Sequence, residues 1–105
     1  MAAPVAPNGR ETEIRAIVFR DGDVYVGQCL EYDIAAQAKD LSALLDRLEL
    51  TVEAEFATCA ALKRETKNCI SPAPVYYHNL WDSASLTLQR VNVSTPLNYR
   101  MAKAA

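Results

Sequence analysis

Apolar residues dominate two extended runs, Ile14-Arg15-Ala16-Ile17-Val18-Phe19-Arg20 and Val24-Tyr25-Val26-Gly27-Gln28-Cys29-Leu30, whose polar positions are Arg15, Arg20 and Gln28. Both runs are rich in β-branched and aromatic side chains, which predicts two strands, the first buried on both faces at its centre. Between them, Asp21-Gly22 supplies the central pair of a type I′ hairpin turn, because glycine accepts positive φ at little cost and Asp tolerates it better than most residues. Gly27, in the middle of the return strand, predicts a bulge or a close backbone approach.

Ile34-Ala35-Ala36-Gln37-Ala38 is short and weakly polar. Asp40, a good N-cap standing just before a helical pattern, leaves room upstream only for a short third strand. From there Leu41, Leu44, Leu45, Leu48, Val52, Phe56 and Cys59 recur at spacings of three and four, one apolar stripe of a long helix whose natural cover is the preceding sheet. Lys63, Arg64 and Lys67 suit the negative end of that helix. Ser71-Pro72-Ala73-Pro74 breaks the chain, and Pro74 opens a short helix in which Tyr76, Leu80, Trp81 and Ala84 share a face. Ser85 to Val93 alternates and predicts a last strand. The expected architecture is α+β: an antiparallel β-β-β-α-β unit with one long helix packed on the sheet, plus a short C-terminal helix and strand. A flexible arm over residues 1–12, one domain over 13–95 and a flexible tail over 96–105 divide the chain.

A length of 105 residues fits one domain, and half of the residues are apolar. No apolar run approaches the roughly 18 to 20 residues of a membrane span, and Met1 to Arg10 lacks the basic start and hydrophobic stretch of a signal peptide, so a cytoplasmic protein is expected. Charge is uneven. Residues 1–56 hold eleven acidic and five basic side chains, a balance of −6, whereas residues 57–105 hold two acidic and six basic, a balance of +4. An acidic first half repels a phosphate backbone and attracts a basic protein.

Candidate chemistry is sparse. Cys29, Cys59 and Cys69 are odd in number and widely spaced, which predicts reduced thiols acting as small buried hydrophobes. His78 is the single histidine, and no cysteine sits where its thiol is activated by a neighbour in sequence. Asp21, Asp23, Glu31 and Asp33 are explained by turns. No catalytic, cofactor or metal-binding residue is therefore expected. Glu49 and Glu53, off the apolar stripe, with Tyr32 and Trp81 as aromatic anchors, are the candidate partner-binding residues.

Over residues 14 to about 62 the order of elements resembles the HicB family of antitoxins. Val24-Tyr25-Val26-Gly27-Gln28-Cys29-Leu30-Glu31 is similar to the family's second strand and its exit, and Gln37-Ala38-Lys39-Asp40 to its approach to the helix. Leu30 stands where the family has Pro, and Ala38 where it has Gly. The resemblance implies a partial RNase H-like domain, non-catalytic, that masks a small basic ribonuclease toxin of the HicA type. The second half resembles no helix-turn-helix or ribbon-helix-helix segment, so operator binding is not implied. A homodimer that covers an exposed sheet edge is expected. Two other classes remain open: a small enzyme using His78 and a Cys, and a nucleic-acid-binding regulator using the basic second half.

Overall fold

The continuous apolar centre of the first run builds a strand that buries both of its faces. In the computed structural model, which describes residues 12–84, 86–91 and 97–104, β1 (Thr12–Asp21) turns Ile14, Ala16 and Val18 to one side and Ile17 to the other, and all four are buried. It pairs antiparallel with β2 (Val24–Cys29), which pairs antiparallel with β3 (Ala35–Ala38). The turn is one residue later than expected. Asp21 pairs with Val24, so the central residues are Gly22 and Asp23, and positive φ falls on Gly22 (65°) but not on Asp23. That is the type II′ pattern, with glycine first, in place of I′.

Asp40 caps α1 (Leu41–Ala61), its Oδ1 accepting from the Ala43 N–H at 2.8 Å. Leu44, Leu48, Val52 and Cys59 are buried, while Leu41, Leu45 and Phe56 are half-buried beside them, as the stripe predicted. The helix crosses β2 closely. A Cβ built on Gly27 would lie 3.4 Å from a Leu48 methyl and 3.5 Å from one of Leu44, while Val18, Gly27 and Ala36 stay in unbroken register. Gly27 therefore marks a close approach and not a bulge.

At the far end Lys63 takes φ 57°. Its N–H donates to the Ala60 carbonyl (2.9 Å) and the Arg64 N–H to that of Cys59 (3.0 Å), so the helix closes with a Schellman turn built on a lysine. The chain reverses into α2 (Thr66–Cys69), where Cys69 forms a disulfide with Cys59 across a Cα–Cα distance of 6.0 Å. This corrects the expectation of three reduced thiols, and the cause is the reversal itself, which brings two cysteines ten positions apart face to face. Cys29 alone keeps the expected form of a buried free thiol.

Beyond Ala73, whose N–H donates to the Leu30 carbonyl, α3 (Val75–Asp82) lies on the opposite face of the sheet. Tyr77, Leu80, Trp81 and Ala84 pack there against Ile17, Leu30 and Ala102. Tyr76, expected on that face, is 63% exposed, because the packed set is displaced by one residue from it. β4 (Leu86–Val91) realises the predicted last strand; Ser85, Asn92 and Val93 lie outside the described residues, as do positions 1–11 of the expected arm.

The largest departure is β5 (Leu97–Lys103). A flexible tail was expected there, yet this segment enters between β1 and β4, parallel to the former and antiparallel to the latter, giving the order β3-β2-β1-β5-β4. Tyr99 and Met101 bury under the α1 side and Ala102 under the α3 side, which fixes the segment in the interior. The fold is α+β, and among the described residues no helix is long and apolar enough to cross a membrane.

Candidate partner-binding surface

β3 is the edge of the sheet, with no further strand beyond it among the described residues. The Cys29 N–H donates to the Ile34 carbonyl at 2.9 Å, and the register places Gly27 opposite Ala36 and Tyr25 opposite Ala38. Bonded pairs alternate in an antiparallel ladder, so Ala36 and Ala38 turn their backbone groups to β2 while Ala35 and Gln37 turn theirs outward. One of these outward groups is occupied: Arg47 reaches down from α1 and its Nη1 donates to the Gln37 carbonyl at 3.1 Å. The others, both groups of Ala35 and the Gln37 N–H, form a short template for an added strand. Where β3 meets the helix, a hollow of about 400 Å³ opens between Val24, Gln37, Lys39 and Asp40 on one side and Ala43 and Arg47 on the other.

The four expected contact residues do not converge. Tyr32 is half-buried on the α1 side, its ring edge-on to Phe56 with centroids 5.0 Å apart; burial, and then the charge of Glu31, raise its phenol pKa. Trp81 is half-buried on the α3 side, across the sheet. Glu49 and Glu53 are half-buried on the flanks of α1, and Oε1 of Glu49 is fully covered, so neither lies on the outward face.

Trp81 is engaged by two cations. The guanidinium of Arg15 lies 5.5 Å and that of Arg100 5.8 Å from its ring, on residues paired across β1 and β5. Glu31 accepts from Arg15 Nε at 2.6 Å and from the Arg15 N–H at 2.7 Å, and Glu13 accepts from Arg100 at 3.3 Å. Two arginines and two glutamates thus balance around one indole, a latch between α3 and the sheet that the spacing of these residues in the sequence does not disclose.

The thiols are held in unreactive forms. Burial, and then the charge of Glu31, push Cys29 up to about 12, while Cys69 is joined to Cys59. His78 sits half-buried on α3. No three His, Cys, Asp or Glu side chains gather as a metal site among the described residues. Comparison of the chain with protein-family models, with curated proteins and with solved structures found no match.

Proposed function

We propose that this chain is a non-catalytic, HicB-like interaction module that masks a small basic ribonuclease toxin of the HicA type, receiving a segment of its partner on the edge of β3. The observation that carries this is the pair of outward-facing residues Ala35 and Gln37 on an edge strand within the acidic half of the chain. Main-chain hydrogen bonds to such an edge supply affinity, and opposite charge speeds the encounter. The order β1-β2-β3-α1, with a later strand beside β1, is consistent with the unit that the resemblance implies.

A Cys–His enzyme is the weaker reading, because the Cys29 thiol is buried and held protonated. The basic side chains of the second half are also dispersed. Lys103 pairs with Val18, near the hairpin, whereas Lys63, Arg64 and Lys67 follow the far end of α1, which disfavours a single nucleic-acid patch. A cytoplasmic location belongs to the proposal, since a ribonuclease toxin acts where its RNA is; in that reducing compartment Cys59 and Cys69 would largely be dithiol.

The test is capture of partners from the native cell, with Gln37→Pro as control. Its N–H points outward, so proline there removes a donor for the added strand and leaves the β2–β3 ladder intact. Retention of a small basic protein by the wild type, weakened by salt and lost in Gln37→Pro, supports the proposal. Equal capture by both, or recovery of nucleic acid alone, refutes it.

A further inference from the structure

Between the Schellman turn and α3 the chain forms a strap over residues 65–73 that has little of its own to hold it. α2 is one turn of four residues, too short to persist by itself. Of positions 65–72, Thr66, Cys69 and Ile70 are half-buried and the rest exposed, and the Lys67–Glu65 ion pair and the Arg64 guanidinium on the Asn68 carbonyl are exposed contacts within the same reversal. The Cys59–Cys69 bond fastens this strap to the end of α1, where Cys59 is 1% exposed. Farther along, the strap holds the connection between β2 and β3. The Asp33 N–H donates to the Ser71 carbonyl at 2.6 Å, the Ala73 N–H donates to the Leu30 carbonyl at 3.0 Å, and Ile70 packs on the same cluster as Tyr32 and Phe56. Asp33 also accepts from Gln28 Nε2 at 2.9 Å and precedes Ile34, whose carbonyl receives the Cys29 N–H at the head of the β2–β3 ladder. A run of one covalent bond and several hydrogen bonds thus leads from Cys59 to the edge strand.

We propose that the Cys59–Cys69 pair is a redox clasp on the β3 edge: bonded, it orders the strap, the β2–β3 connection and β3; reduced, it releases them. That this sets the affinity of the edge for a partner rests on the reading of β3 as a docking strand, since a template already ordered loses less freedom on binding. The clasp itself does not depend on that reading. In a reducing compartment the pair stands open, and glutathione disulfide is the oxidant that closes it. Cys69, the less buried of the two, attacks glutathione disulfide first, forming a mixed disulfide and releasing one glutathione. The Cys59 thiolate then attacks the Cys69 sulfur, breaks the mixed disulfide and releases the second glutathione. Two electrons pass from the dithiol to glutathione disulfide, and the two thiol protons leave on the two glutathiones. Cys29 is buried apart from the pair and takes no part.

Amide exchange of the full chain, followed residue by residue in reduced and in oxidised glutathione, tests this. Alkylation in denaturant reports the state, with one thiol free in the bonded chain and three in the reduced one. On reduction the amides of Asp33, Ala36 and Ala73 should exchange faster by roughly tenfold or more relative to that of Leu48 in the middle of α1. A cross-link that acted on the unfolded chain alone would instead change all globally protected amides together. Cys69→Ser should show the reduced pattern in both buffers. Three free thiols in oxidised glutathione, equal acceleration at Leu48, or unchanged exchange at Asp33 and Ala73 would overturn the clasp, and acceleration there that spares Ala36 would overturn its reach to the edge strand. Should Cys69→Ser fail to fold, the two redox states of the wild type decide. The capture experiment with Gln37→Pro stands or falls separately, because it reads docking on β3 and not the order of the strap.

Discussion

Leu48 is 1% exposed and one of its methyls would sit 3.4 Å from a Cβ on Gly27, so the two positions share one small volume. Replacing Leu48 by Ala removes a buried isobutyl group and leaves a void over the β2 backbone, at a cost of about 3 to 4 kcal/mol, within the range for buried leucines. Gly27→Ala alone adds a methyl at ordinary van der Waals separation and lowers the entropy of the unfolded chain, so it should stabilise by about 0.5 kcal/mol. Made together, the new methyl occupies part of the void. It should then regain about 0.8 kcal/mol more, the worth of one buried methyl group. The assay is a double-mutant cycle of four proteins unfolded in urea and followed by far-UV circular dichroism. Additivity within about 0.5 kcal/mol would show that Gly27 does not lie beneath Leu48, and an unchanged midpoint for Leu48→Ala would remove the stripe from the core.

Cys69→Ser should lower stability by about 3 kcal/mol under oxidising conditions, the entropy of closing a loop of this length, and by much less in reductant; equal effects in both would mean that the bond does not constrain the unfolded chain. Lys63→Gly should raise stability by about 1 kcal/mol in the same urea assay, since glycine takes the positive φ of the Schellman turn without a Cβ penalty. Cys29 has its pKa raised from 9.0 to about 12, so its contribution is complete below pH 9 and is lost as pH climbs toward 12, by about 1.4 kcal/mol per unit. Compared between wild type and Cys29→Ala, the difference in stability should therefore shrink through that window, and a constant difference would mean that Cys29 is accessible to solvent.

Local chemistry made the hairpin, the capped helix and its stripe legible, because Gly22, Asp40 and the leucines each act on their neighbours in sequence. Leu97, Tyr99 and Met101 also alternate with polar or small residues, so β5 carried a strand signal of its own. It was obscured by the Pro96 that precedes it, and its place between β1 and β4 depends on pairings that no local pattern encodes. The Cys59–Cys69 bond depends on a reversal made with a lysine where glycine is usual, which removed the cue. Of the candidate surface, Tyr32 and Trp81 were recognisable as amphipathic rings, but the sheet that separates them was not. The outward orientation of Ala35 and Gln37 follows from hydrogen-bond parity, which required the register.

Thr12 pairs with Leu97, so β1 must wait for a neighbour 85 residues downstream. On a ribosome adding roughly 5 to 20 residues per second, that interval is roughly 4 to 17 s, during which the hairpin and α1 can assemble but one side of β1 stays unsatisfied. Long-range parallel closure is also slow in its own right. The nascent chain thus passes through a stage at which a β-rich edge is available to any other strand. Glu13, Arg15 and Arg20 bracket the apolar centre of β1 and act as charged gatekeepers during that stage. Neutralising Arg20, which is exposed and outside the Trp81 latch, should send more newly made protein into inclusion bodies while leaving the urea midpoint of the folded chain nearly unchanged.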